Sequence, residues 1–367
     1  MQDFSWYKGK KVLVTGHTDF KGSWLCRMLT GLGAEVTGYS LEAPTEPSLF
    51  EISGLDGRMK SVIGDIRDYD HLLQVFTETK PEIVLHLAAQ PIVRESYREP
   101  RYTYETNVMG TVNLLECVRL TPSVRSVLNV TTDKVYLNEE REAGYKEDEK
   151  LDGFDPYSNS KSCSELVTHS YKNSFFTPEL KSGDRYITVS TARAGNVIGG
   201  GDFAPDRIIP DSIRAVSCGN RLQVRNPYSV RPYQHVLEPL AIYLTIAMKQ
   251  YDDPSFQNYY NVGPDDCDCV NTGALADLFC RSWGDGMGWD NRAETGAPHE
   301  AGYLRLNCDR IKRVFGWKPT WHIEEGIIKT IEFSKVYLAG GDVPQEMDRQ
   351  INEFYINEVL MKFYYTI

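Results

Sequence analysis

The chain has 367 residues, enough to bury a large core as one big domain or two smaller ones. Hydrophobic residues at 41% and charged residues at 25% give an ordinary globular balance, and a formal charge of −11 with no basic tract excludes nucleic acid as an expected partner. No run of roughly 18 apolar residues occurs, so no membrane-spanning helix is expected. Met1–Gly9 lacks the apolar stretch of a secretion signal and points to a cytoplasmic protein with no membrane partner. The eight cysteines are scattered, and Cys267 and Cys269 are the only close pair. With no further Cys or His beside that pair in the chain, reduced thiols and no metal site are expected.

In chain order, apolar and β-branched runs at Lys11–Thr15, Glu35–Ser40, Met59–Asp65, Glu82–Ala89, Ser126–Asp133 and Ile187–Ala194 read as strands. Gly22–Leu32, Tyr69–Thr79, Glu105–Leu120 and Tyr157–Phe176 carry helical patterns between them. Such alternation predicts right-handed crossovers and a doubly wound parallel α/β sheet of the Rossmann kind. After about residue 195 prolines break the chain into short segments, with helices at Leu237–Gln250 and Thr272–Trp283 and one more strand at Asn258–Gly263. The expected division is a nucleotide-binding domain over 1–195, rejoined by 235–263, and a smaller C-terminal substrate-binding domain from 196–234 and 264–340. Gly340-Gly341 is expected to end the compact fold, leaving 341–367 as a helical tail.

Val12-Leu13-Val14-Thr15-Gly16-His17-Thr18-Asp19-Phe20-Lys21-Gly22 reads as strand, turn and helix start. A dinucleotide fingerprint places glycine where the chain turns, where it meets the pyrophosphate, and where helix packs on strand. Gly16 and Gly22 hold the first and third places, but Asp19 holds the middle one and opposes a phosphate's charge there. Altered cofactor affinity follows, with Lys21 a possible source of compensation. The second strand ends in Gly38-Tyr39-Ser40-Leu41 with neither a carboxylate for a ribose hydroxyl nor an Arg or Lys for a 2′-phosphate, which favours NAD over NADP. Asp65 and Ile66 suit an adenine edge, although Asp65 also fits a helix cap. His86-Leu87-Ala88-Ala89-Gln90 ends the fourth strand in small residues that let the backbone approach a cofactor; His86 reads equally as a core histidine.

Thr132-Asp133-Lys134 ends the fifth apolar run, and Tyr157-Ser158-Asn159-Ser160-Lys161 follows it. On a helix, Tyr157 and Lys161 lie one turn apart on one face, and a nearby ammonium favours phenolate as a base for a sugar hydroxyl. The first triplet brings an acid, a hydroxyl and an amine to a strand's carboxyl end, where open α/β sheets bind ligands. A solvated turn is the plainer structural reading of that triplet. Arg193, Arg207 and Arg231 are candidates for a diphosphate, since guanidinium forks suit phosphate, and each also suits a surface ion pair.

Thr15-Gly16-His17-Thr18, His86-Leu87-Ala88-Ala89, Thr132-Asp133-Lys134, Tyr157-x-x-x-Lys161 and Arg193-Ala194-Gly195-Asn196-Val197-Ile198-Gly199 together resemble the extended short-chain dehydrogenase/reductase superfamily, from about residue 6 to about residue 335. Phe20-Lys21-Gly22-Ser23-Trp24-Leu25, Asp155-Pro156-Tyr157 and Arg231-Pro232-Tyr233-Gln234-His235-Val236 are similar, more narrowly, to nucleotide-sugar 4,6-dehydratases that act on CDP-D-glucose. In those enzymes Asp-Lys follows the active-site Thr, and simple 4-epimerases usually lack the acid. The resemblance implies NAD as cofactor, CDP-glucose as substrate, and Thr132, Asp133, Lys134, Tyr157 and Lys161 as the catalytic set. It implies Gly16, His17, Asp19, Phe20, Gly22, Ser40, Asp65, Ile66, Leu87, Ala88, Ala89 and Thr106 around the cofactor, with Tyr157 and Lys161. Gln90, Arg193, Asn196, Arg207, Arg231 and His299 would face the substrate. It also implies a homodimer through the helices at Glu105–Leu120 and Tyr157–Phe176, with a tetramer open. A 4-epimerase, a dehydratase for another nucleotide sugar, and an NAD-binding homologue impaired by Asp19 are the alternatives.

Overall fold

The computed structural model describes residues 3–177, 186–293 and 302–364, with side chains described as far as residue 356. Seven strands form one parallel sheet: β1 (Lys11–Thr15), β2 (Glu35–Ser40), β3 (Lys60–Ile63), β4 (Ile83–His86), β5 (Ser126–Thr132), β6 (Thr188–Ala194) and β7 (Tyr259–Val262). Their spatial order is β3-β2-β1-β4-β5-β6-β7, so the order reverses between β1 and β4. Thr15 stands beside His86 at that switch point, where a doubly wound sheet opens a crevice for its ligand. β4, β5 and β6 are buried along their whole lengths, as central strands covered on both faces are, although β5 and β6 carry Asn129 and Arg193 among their apolar residues.

Helices Phe20–Gly31 and Leu237–Asp252 pack on one face of the sheet, burying Trp24, Leu25, Leu240 and Leu244 with Val12, Val14 and Leu128. Tyr69–Thr79 and Gly110–Leu120 cover the other, burying Leu72, Phe76, Leu114 and Leu115 with Leu13, Val84 and Val127. A third cluster, with Ile209, Tyr233, Leu275, Phe279 and Ile327, lies outside the sheet. Asp19, Asp68 and Asp155 start three of the helices by accepting backbone N–H bonds, and Pro156 at the first helical position sets the start of Pro156–Phe175 one residue before Tyr157.

Five of the seven strands are trimmed by one to three residues at an end; Leu87, Ala89 and Asp133, expected as strand, leave the sheet and line the cavity at its carboxyl edge. Expected continuous helix at Glu105–Leu120 is a wide π turn at Glu105–Met109 followed by α-helix from Gly110. Helices Val93–Arg98, Pro100–Tyr104, Ile208–Ser217, Asp309–Phe315 and Ile323–Leu338 were not legible. The packed body does not end at Gly340-Gly341. Helix Val343–Tyr364 returns and buries Val343, Met347, Ile351 and Phe354 in the first core cluster. Among the described residues no helix is long and apolar enough to cross a membrane.

Candidate active site

The carboxyl ends of β1, β4, β5 and β6 open into a cavity of about 620 Å³. One wall is the phosphate loop, with Gly16, Asp19, Phe20, Lys21 and Gly22; the strand ends add Leu87, Ala89, Thr132, Asp133 and Lys134, and helix Pro156–Phe175 adds Tyr157 and Lys161. Asn196, Arg207 and Arg231 line the far side. All five residues of the expected catalytic set therefore meet in one space.

The loop is shaped for close backbone approach. Gly16 has φ +78°, and a Cβ there would lie 2.8 Å from the backbone nitrogen of Ala88; a Cβ on Gly22 would lie 2.0 Å from the Gly16 carbonyl oxygen. The Thr15 hydroxyl accepts from the Leu87 and Ala88 amides and meets His86 Nδ1 at 2.7 Å, locking the two strand ends together. These residues fit the dinucleotide role; the cradle is one that side chains would fill.

The acid end is unusual. Asp133 is completely buried, its Oδ1 accepts from the Thr132 hydroxyl at 2.9 Å and stands 3.5 Å from Lys134 Nζ, and its Oδ2 has no hydrogen-bond partner. A buried carboxylate oxygen left unpaired is costly unless a ligand completes it. Burial pushes the Tyr157 phenol up to about 12, while the Thr132 hydroxyl pulls it down and Asp133 pushes it further up. Lys161 donates to the Val130 carbonyl at 3.1 Å, and burial followed by Lys21 lowers its ammonium to about 8. The one-turn spacing is real, and burial outweighs the pull of the Thr132 hydroxyl and Arg207, so the phenol is raised.

Several sequence candidates are spent elsewhere. Arg193 is buried on β6 between Glu165 at 2.9 Å, the Tyr136 hydroxyl at 2.8 Å and the Glu147 carbonyl at 2.9 Å, away from the cavity. Gln90 bonds Thr103 and the Ile92 amide, which closes its turn. His17 is folded under β2, its ring 2.2 Å from where a Cβ on Gly38 would stand, and its Nε2 meets Ser61 Oγ at 2.7 Å. Ser40 bonds Thr18 at 2.9 Å. Asp65 pairs with Arg67 on a separate shallow rim with Glu105 and Met109. Ile66 packs against Gly110, and Thr106 keeps a buried hydroxyl without a partner. His299 lies outside the described residues.

Sequence reasoning missed Tyr233, Thr272, Asp202 and the Gln223–Asn226 run as cavity walls; only the fold brings these segments to the sheet edge. It also missed His322, which comes from far along the chain to stand beside Asp268 and Cys267, their ligand atoms within 4.8 Å of one another. Asp268 already receives His322 at 2.8 Å and the Ile323 amide at 3.0 Å, as the cap of helix Ile323–Leu338.

Fold and site together define an extended short-chain dehydrogenase/reductase: a doubly wound nucleotide sheet whose Tyr and Lys face an acid across one cavity. The chain belongs to the GDP-mannose 4,6 dehydratase family, whose profile matches residues 13–274. It is 46% identical over 355 residues to CDP-glucose 4,6-dehydratase of Salmonella typhimurium strain LT2, covering 96% of this chain and 98% of that protein. It is 27% identical over 288 residues to UDP-glucose 4-epimerase of Lacticaseibacillus casei, covering 75% and 83%. In fold it is similar to dTDP-glucose 4,6-dehydratase of Bacillus anthracis in complex with NAD, with a TM-score of 0.71, 21% identity and 89% and 97% coverage. It is likewise similar to UDP-glucose 4-epimerase of Thermotoga maritima, with a TM-score of 0.76, 20% identity and 89% and 99% coverage.

Proposed function

We propose that the chain dehydrates CDP-D-glucose to CDP-4-keto-6-deoxy-D-glucose with NAD. The observation that carries this reading is Asp133: a buried acid with a free oxygen, in the cavity that holds Tyr157, on a chain similar over its length to a CDP-glucose 4,6-dehydratase. A 4-epimerase moves protons and hydride at C4 alone and has no use for a second acid. Gly16, Phe20, Gly22, Leu87 and Ala89 would hold the cofactor, with Tyr157 and Lys161 beside it. NAD, when bound, supplies the hydride acceptor for C4 and the hydride donor for C6.

Tyr157, as phenolate, takes the C4 hydroxyl proton; burial raises the phenol, and Thr132 and Arg207 pull it back toward the ionised form. Loss of the C5 proton to a base is eased by the 4-keto group, and Lys134 stabilises the enolate. Asp133 gives its proton to the departing C6 hydroxyl, so that water leaves with the C6–O bond. Hydride at C6 and a proton at C5 complete a reaction with no net redox change. Residues 1–195 and 235–263 carry the cofactor in this reading, and 196–234 with 264–340 the nucleotide sugar. A homodimer belongs to it too: Met109, Leu120, Leu166 and Phe175, large apolar residues on the two helices implied to pair, are 45–55% exposed.

Incubation with NAD⁺ and each of CDP-, dTDP-, GDP- and UDP-glucose tests the reading. Loss of one water by mass with CDP-glucose, and an alkali-absorbing 4-keto product, is expected. Conversion to the C4 epimer, or turnover with another nucleotide only, overturns it.

A further inference from the structure

Two glycines of the phosphate loop are demanded by the backbone, and the residue between them is not. Asp19 has φ −85° and ψ 168°, an unstrained cap geometry, and its Oδ1 accepts from the Phe20 amide at 2.8 Å. That carboxylate takes the first amide at the head of helix Phe20–Gly31, where the helix's positive end would otherwise meet a phosphate. Lys21, two residues on, lines the same cavity, within electrostatic reach of Asp19, Asp133 and Arg207. Arg207 in turn pairs with Asp202 at 3.0 Å and feels Asp19 as well. An anion and a cation have thus been set into the one turn of the fold built to approach a phosphate.

We propose that Asp19 and Lys21 act as an opposed charge pair that sets how tightly the site holds the pyrophosphate of its dinucleotide. Asp19 weakens the hold by competing for the Phe20 amide and by repelling the phosphates. Lys21 restores part of it. The proposal rests on the cofactor reading above and assigns to these two residues a role in affinity rather than in chemistry.

The test is titration calorimetry of the full-length chain with NAD⁺, ADP-ribose and adenosine. Asp19→Asn keeps a cap acceptor and removes the charge, so NAD⁺ and ADP-ribose should bind about tenfold tighter while adenosine, which has no phosphate, is unchanged. Lys21→Met should weaken the two phosphate ligands by about as much. Asp19→Gly should tighten them too, with a lower melting temperature from the lost cap. If wild type binds NAD⁺ and Asp19→Asn binds NAD⁺ and ADP-ribose no more tightly than wild type does, the proposal fails and the cofactor reading stands. If no variant binds NAD⁺ or ADP-ribose, both fail. If Asp19→Asn tightens binding on a chain that never turns over CDP-glucose, the charge pair stands and the dehydratase reading falls.

Discussion

Replacing Asp133 with Asn separates the acid's chemistry from its place in the fold. The side chain is fully buried, and an amide of nearly the same shape can keep its oxygen toward the Thr132 hydroxyl, now 2.9 Å from Oδ1. Lys134 Nζ, 3.5 Å from Oδ1 on a side chain 24% exposed, keeps an oxygen to face, so that contact changes by about 1 kcal/mol or less. The change exchanges one unpartnered buried oxygen for one unpartnered buried N–H group, so folding stability should stay within about 1 kcal/mol of wild type. The amide cannot give a proton to the C6 oxygen, and losing a general acid costs about 10³-fold in kcat, or about 4 kcal/mol of barrier. C4 oxidation and C5 proton removal do not need that proton. Incubated in deuterium oxide with CDP-glucose and NAD⁺, the variant should return unreacted sugar nucleotide carrying deuterium at C5, with little dehydrated product. Mass spectrometry and proton NMR read both outcomes, and a urea melt reads stability. Dehydration within threefold of wild type would refute the assignment of Asp133 as the acid.

Glu165→Gln tests the buried ion pair behind the site. Glu165 accepts from Thr131, Thr191 and Arg193, and its loss leaves a guanidinium only 3% exposed without its counter-charge, so unfolding free energy should drop by about 3–5 kcal/mol in a urea titration; a change under about 1 kcal/mol would show that Tyr136 and the Glu147 carbonyl suffice. Burial lowers His17 to about 4 and His86 and His235 to about 3. These rings stay neutral in the fold while the unfolded chain protonates them below about 6.5, so their contribution is whole above that pH and is lost as pH falls toward 3–4. Each contributes up to about 1.4 kcal/mol per pH unit in that window. A urea midpoint that stays flat from pH 7 to pH 5 would contradict this linkage.

The sheet was legible because β1, β4 and β5 are rich in Val, Leu, Ile and Thr, the composition of strands that pack on both faces. Helix Ile323–Leu338 was not, since its start depends on Asp268, a cap distant in the chain. At the site, Thr132-Asp133-Lys134 and Tyr157-x-x-x-Lys161 pointed to the right space because spacing fixes which face a side chain takes. Spacing says nothing about desolvation, and so could not foresee that burial raises the Tyr157 phenol. Arg193 and Gln90 were misread for a related reason: a polar residue at a strand end looks like a ligand group until the partners that satisfy it, Glu165 and Tyr136 for the one and Thr103 for the other, are brought near by the fold.

The return of the last helix gives the far end of the chain a hold on its beginning. Arg27 is 2% exposed on the helix that begins at the phosphate loop, and it reaches Asp348 at 2.5 Å, the Pro344 carbonyl and the Ser53 carbonyl. A chain cut short before Val343 would strand that guanidinium in an apolar wall and uncover Trp321 and Phe4, which Phe354 and Tyr355 now cover. Trimming or crowding the carboxyl terminus is thus felt at the opposite extremity of the polypeptide, through a single rigid rod that runs up to the nucleotide's doorstep.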